Sequence, residues 1–141
     1  SIMPRRDWVI KDGETLKLGD TTLRFEITPG HTPGTLSIEF PVIDGEHSYQ
    51  AFLHGGTSVR TQDPDVINGF IEDMQRIKTY DQIEVQINNH PFIDDLFDRQ
   101  VLLDNRKPGE PHPFVDQEMF QAFLDRRIGV ARDQLAGKME D

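Results

Sequence analysis

The sequence predicts an α+β fold, a mostly antiparallel sheet covered on one face by about three helices. Three observations lead there. Up to residue 53 hydrophobicity alternates with period two, and beyond residue 63 it repeats every three to four residues. The helical stretches gather after the strands with a single strand between them, the order that places helices on one side of a sheet. A chain of 141 residues, 35% hydrophobic and 28% charged, also fits one domain over 1–141 with room for a core.

Residues 1 to 7, with Pro4, Arg5 and Arg6, read as a connector, and Trp8 to Ile10 as a short apolar strand. Thr15 to Leu18 and Thr22 to Ile27 read as strands joined at Gly19-Asp20, a two-residue hairpin loop. In the second, Leu23, Phe25 and Ile27 alternate with Thr22, Arg24 and Glu26, one face buried and the other wet. Thr28 to Gly34, Thr-Pro-Gly-His-Thr-Pro-Gly, then holds His31 between two Pro-Gly steps. Each proline sets its own φ and each glycine admits angles closed to other residues, so the loop is expected to be rigid and sharply turned. Leu36, Ile38 and Phe40 resume the buried alternation against Ser37 and Glu39 until Pro41.

Residues 44 to 48 have hairpin-turn composition, and the next strand, Tyr49 to Leu53, runs into His54-Gly55-Gly56-Thr57-Ser58. Adjacent glycines there allow close backbone approach. Asp63-Pro64 opens a helix whose stripe is Val66, Ile67, Phe70, Ile71, Met74 and Ile77. Ile83, Val85 and Ile87 form a strand ending at Asn89-His90-Pro91. A helix over Phe92 to Asn105 turns Phe92, Ile93, Leu96, Phe97, Val101 and Leu102 inward. The last helix starts near Asp116, buries Met119, Phe120, Phe123 and Leu124, and ends around Gly137, with a bend or break expected at Gly129.

Twenty-five acidic residues against fifteen basic give a net charge of −10, and no basic run occurs, which argues against nucleic acid and anionic membranes as partners. No apolar run reaches the roughly 18 residues of a membrane span and no signal-peptide pattern opens the chain, so it reads as cytoplasmic. Cysteine is absent, which leaves imidazole and carboxylate as the metal-ligand types. His31 and His90 each stand in a proline-containing turn just after a strand, where strand ends of one sheet edge project together. Two converging imidazoles are half of a zinc site, which takes four ligands when structural or three and a water when catalytic. On spacing alone, two unrelated loop histidines explain the same residues.

The Pro-Gly-His-Thr-Pro-Gly loop, the strand into His54-Gly55-Gly56-Thr57-Ser58, Asn89-His90-Pro91 and the terminal helices together resemble the C-terminal half of a metallo-β-lactamase-fold hydrolase. The likeness runs from about Trp8 to Leu135 and is nearest to the third subclass of metallo-β-lactamases and related hydrolases. It implies half of an αββα sandwich with one or two zinc ions at the sheet edge. His31 would belong to the first zinc site and His90 to the second, with Thr57 and Ser58 nearest the substrate. Gly56 stands where many members carry a bridging aspartate or cysteine, so that ligand is lacking here.

The family's His-x-His-x-Asp-His signature belongs to the other half and does not occur in these residues. His47, His54 and His112 are isolated, and Asp63, Asp65, Asp94 and Asp95 read as helix-start charges. The resemblance therefore implies a fragment of a zinc hydrolase whose parent attacks an ester, lactam or related bond of a small molecule with zinc-bound hydroxide. No catalytic residue is assigned in this chain, and by itself it is expected to bind zinc weakly or not at all and to be inactive. Its partner would be the N-terminal half or, by self-association, a second copy covering the apolar sheet face. The alternative is a non-catalytic α+β interaction module with structural histidines.

Overall fold

In the computed structural model, which describes residues 5, 7–93 and 95–138, two-residue turns organise the first half of the chain. Strands β1 (Thr15–Leu18) and β2 (Thr21–Ile27) pair antiparallel with Leu18 opposite Thr21. Gly19 takes φ 61° in the turn between them, an angle that would press a Cβ against its own backbone. β3 (Leu36–Asp44) pairs with β2, and β4 (His47–His54) returns along β3 through Gly45-Glu46. After α1 (Pro64–Lys78) the chain adds β5 (Ile83–Asn88) parallel to β4, completing a five-stranded sheet in sequence order. Helices α2 (Leu96–Asp104) and α3 (Gln117–Leu135) follow, so the structure has the α+β class expected of it.

Asp63 caps α1 by accepting from the Asp65 amide at 3.0 Å, with Pro64 in the first turn, and Asp116 caps α3 by accepting from the Met119 amide at 2.8 Å. The α1 stripe is buried as its spacing predicts. Phe70, Met74 and Ile77 meet Phe120, Phe123 and Leu124 of α3 over Phe52 and Ile83 of the sheet. α3 runs unbroken through Gly129, because the packed residues on either side hold the helix against glycine's small conformational cost.

Phe25 is buried as the alternation reads, but the face that the alternation reads as wet is the one the helices cover. The helix-covered face carries Glu26 and Ser37, both with no exposed surface, and Glu39 at 7%, while Leu36, Ile38 and Phe40 on the opposite face are only half-buried. Glu26 is held by Arg24 at 2.7 Å, by Arg76 of α1, and by the Tyr80 hydroxyl donating at 3.2 Å. Glu39 accepts from Gln50 at 2.9 Å and Gln82 at 3.1 Å. Burial pulls the Arg76 pKa down, but the Glu26 and Asp73 hydrogen bonds outweigh it and hold the guanidinium above its ordinary range. A buried carboxylate is tolerable only with such partners, and alternation alone does not disclose them.

Three further expectations are corrected. Trp8 to Ile10 form no strand; the Trp8 ring instead packs edge-on against Phe25, with centroids 5.8 Å apart. α2 begins at Leu96 rather than Phe92, and Phe92, Phe97, Val101 and Leu102 are exposed rather than inward, because α2 packs closely on no other strand or helix among the described residues. Asp95 precedes α2 in a left-handed conformation, φ 53°, and its side chain makes no capping bond. Pro4, Arg6 and Asp94, read above as connector and helix-start residues, lie outside the described residues.

Candidate functional site

The loop Thr28 to Gly34 turns β2 into β3 and is tied down at several points. The Thr28 amide donates to the Thr35 carbonyl at 3.0 Å, and the Thr35 hydroxyl donates to the Thr32 carbonyl at 3.0 Å while accepting from the Thr32 amide at 3.0 Å. Gly30 takes φ 148° and lies so close to α1 that a Cβ there would stand 2.7 Å from the Phe70 ring. The Arg60 amide donates to the Gly30 carbonyl at 3.2 Å and joins the loop to the segment after β4.

That segment needs both of its glycines. A Cβ on Gly55 would meet the Leu36 carbonyl oxygen at 1.8 Å, and one on Gly56 would meet the Cβ of His31 at 2.5 Å. Beneath them, the Ser37 hydroxyl shares a 2.8 Å hydrogen bond with Thr28 and accepts from the Gly55 amide at 3.2 Å. Ser37, read from sequence as a solvent-facing residue, thus pins the His31 loop to the end of β4.

The result is a cleft of about 570 Å³ at one end of the sheet. His31, His90, Thr57 and Ser58, drawn from three separate stretches of chain, all line it. His31 is half-buried, and its Nδ1 lies 3.4 Å from the Ser58 hydroxyl. His90 is exposed and stacks on Phe92, centroids 5.3 Å apart and planes 21° from parallel. Asn89, beside His90, donates to the Gly55 carbonyl at 3.5 Å and links the β5 end to the β4 end.

The remaining histidines stand elsewhere. His54 is buried between Phe52 and Phe123, with ring centroids 5.5 and 5.8 Å away, and burial pushes its pKa down to about 4. His47 begins β4 at the opposite, exposed end of that strand, and the His112 Nδ1 accepts from the Phe114 amide at 3.2 Å. No cluster of three potential metal ligands occurs among the described residues. His31 and His90 by themselves are two imidazoles, fewer than the three or four protein ligands that a zinc site takes.

Sequence reasoning missed two cleft residues, Arg60 and Arg127. Arg60 stands two positions after Ser58, a proximity that would have drawn notice. Arg127 comes from the middle of α3, where nothing in the local pattern separates it from a solvent-facing charge.

No protein-family model matches the chain, and no curated protein matches it in sequence. Solved structures do. The subclass B3 metallo-β-lactamase BJP-1 of Bradyrhizobium japonicum superposes with a TM-score of 0.79 at 24% identity, over 94% of this chain and 51% of that one. Native FEZ-1 metallo-β-lactamase of Legionella gormanii gives 0.78 at 24% identity, over 90% and 50%. A β-lactamase of Chitinophaga pinensis gives 0.74 at 19% identity, over 96% and 52%. The chain spans about half the length of each, and what it shares with them is the fold. It is folded as one half of a metallo-β-lactamase-fold protein, in agreement with the C-terminal half to which its motifs point.

Proposed function

We propose that this chain is the half of a zinc-dependent hydrolase that contributes His31 and His90 to a metal centre completed by a complementary half. The observation supporting this is their convergence in one cleft with Thr57 and Ser58, across 59 residues of sequence. The Ser58 contact at His31 Nδ1 orients the ring and leaves Nε2 as the donor for a metal. A bound zinc would lower the pKa of a water and polarise the oxygen of an ester, lactam or related small-molecule substrate. Thr57 and Ser58 place hydroxyls where such a substrate would lie. No carboxylate lines the cleft among the described residues to accept a proton, so the isolated chain is read as inactive.

Titration of the metal-free chain with zinc, followed by calorimetry, tests the assignment. Weak binding is expected, reduced more than about tenfold by His31→Ala or His90→Ala, the scale on which changes around a metal alter its affinity. Zinc binding unchanged in both variants removes the ligand assignment.

A second reading has its own support. The sheet face opposite α1 and α3 carries Leu36, Ile38, Phe40, Leu53 and Ile87, all half-buried; Trp8 packs on Phe25 and shares a shallow cleft with Leu36, and Leu96 and Phe114 wall a second cleft at Ile87. Such a face calls for a partner, either the complementary half or a second copy. A monomeric mass by light scattering across a concentration series would eliminate the second copy.

A further inference from the structure

The residues lining the His31/His90 cleft differ in charge from the rest of the molecule. The chain carries −10 overall, yet the cleft is lined by two guanidiniums, Arg60 and Arg127, and by no carboxylate among the described residues. Neither arginine makes an ion pair among those residues, whereas Arg24, Arg76 and Arg106 all do. Arg127 is the more unusual of the two. It is half-buried over the Phe123 ring, 5.5 Å from the centroid, and its Nε is buried without a hydrogen-bond partner. Burial, with the neighbouring Arg126 charge, holds its pKa below the ordinary arginine value, the direction expected of a cation lacking a counter-charge.

The Nε is closed to the cleft, so an oxyanion there would meet the two terminal nitrogens of this partly desolvated guanidinium, a planar pair of donors that no ion-pair partner holds. The field of a strongly acidic chain repels anions, so a local arrangement must overcome it for one to bind. The Thr57 and Ser58 hydroxyls and the Asn89 amide stand along the same walls and add neutral hydrogen-bonding groups.

We infer that Arg127, assisted by Arg60, forms an anion-binding subsite on the α3 side of the cleft, taking a carboxylate or phosphate group of the small molecule bound there. The inference rests on the reading of this cleft as the substrate site and adds that the substrate is anionic. Arg127 acts in it as a binding and specificity residue and takes no part in bond breaking.

The test is an NMR titration of the 141-residue chain, following arginine Nε–H and backbone amide signals at constant ionic strength. One arm uses inorganic phosphate and the other acetate. Saturable shifts are expected at the Arg127 Nε–H and the Thr57 and Asn89 amides. Affinity should fall more than tenfold in Arg127→Gln, fall several-fold in Arg60→Gln, and be unchanged in Arg132→Gln, an exposed α3 control. Arg127→Lys keeps the charge over Phe123 but loses the fork, so it should bind with intermediate affinity, and it serves if the glutamine variant does not fold. The stronger arm identifies the anion. Absence of saturation in both arms, or affinity unchanged in Arg127→Gln and Arg127→Lys, overturns the subsite. His31→Ala and His90→Ala separate the two readings. Anion binding should persist in both variants; an unsubstituted chain that binds phosphate or acetate but no zinc refutes the metal assignment alone, and one that binds zinc but neither anion refutes the subsite alone.

Discussion

A methyl group at Gly56 would stand 2.5 Å from the Cβ of His31, so the histidine occupies its place in the cleft only because residue 56 has no side chain. Gly56→Ala is expected to cost about 1–3 kcal/mol, the usual range for forced overpacking, and to weaken zinc binding along with it. Gly55→Ala should cost more, because its Cβ would meet a backbone carbonyl that cannot rotate away. Urea unfolding of both variants, with zinc calorimetry on Gly56→Ala, checks the pair. His54 gives a pH prediction. Its folded pKa of about 4 lies below the ordinary value of 6.5, so between the two the unfolded chain binds more protons. The stability from keeping the ring neutral is thus present above about pH 6.5 and is lost as pH falls toward 4, on the order of 3 kcal/mol in all. Unfolding free energies from pH 7.5 down to 4.5 should show this slope, and His54→Phe should flatten it.

Among the elements, β2 and β3 behave least as their sequences read. Both alternate apolar and polar residues, and in both the polar face is the one beneath the helices. Glu26 is satisfied there by Arg24, Arg76 and Tyr80, and Ser37 by Thr28 and Gly55. Glu26→Gln should destabilise by about 3 kcal/mol, the low end for breaking a buried pair, since both guanidiniums reach solvent. Comparing Ser37→Lys with Ile38→Lys tests the assignment of faces directly. The alternation predicts that the isoleucine variant suffers more, and the structure predicts the serine variant, with the larger loss measurable by thermal denaturation. α1 shows the opposite case. Its cap, its proline and its apolar stripe are local features, and all behave as read because α3 packs against that stripe. The stripe read over α2 meets no such surface, and Phe97, Val101 and Leu102 stay exposed.

At the scale of the whole molecule, the half-buried apolar face and the incomplete histidine pair lie on the same chain, about half the length of the metallo-β-lactamases it superposes on. Supplying the complementary half is expected to bury that face and complete the ligand set together, so zinc affinity and thermal stability should rise in parallel; either rising alone would separate the two roles. No helix among the described residues is long and apolar enough to cross a membrane. The sequence by itself determined the α+β class, the strand and helix order, the rigid His31 loop and the likeness to half of this fold, because periodicity, capping residues and Pro-Gly steps act over a few neighbouring positions. Only the tertiary structure decided which face of the sheet the helices cover, that His54 is buried, and that Arg127 stands on the same cleft as His31 and His90. Each of these depends on what lies opposite a side chain in space, and a residue's partner there comes from a distant part of the chain.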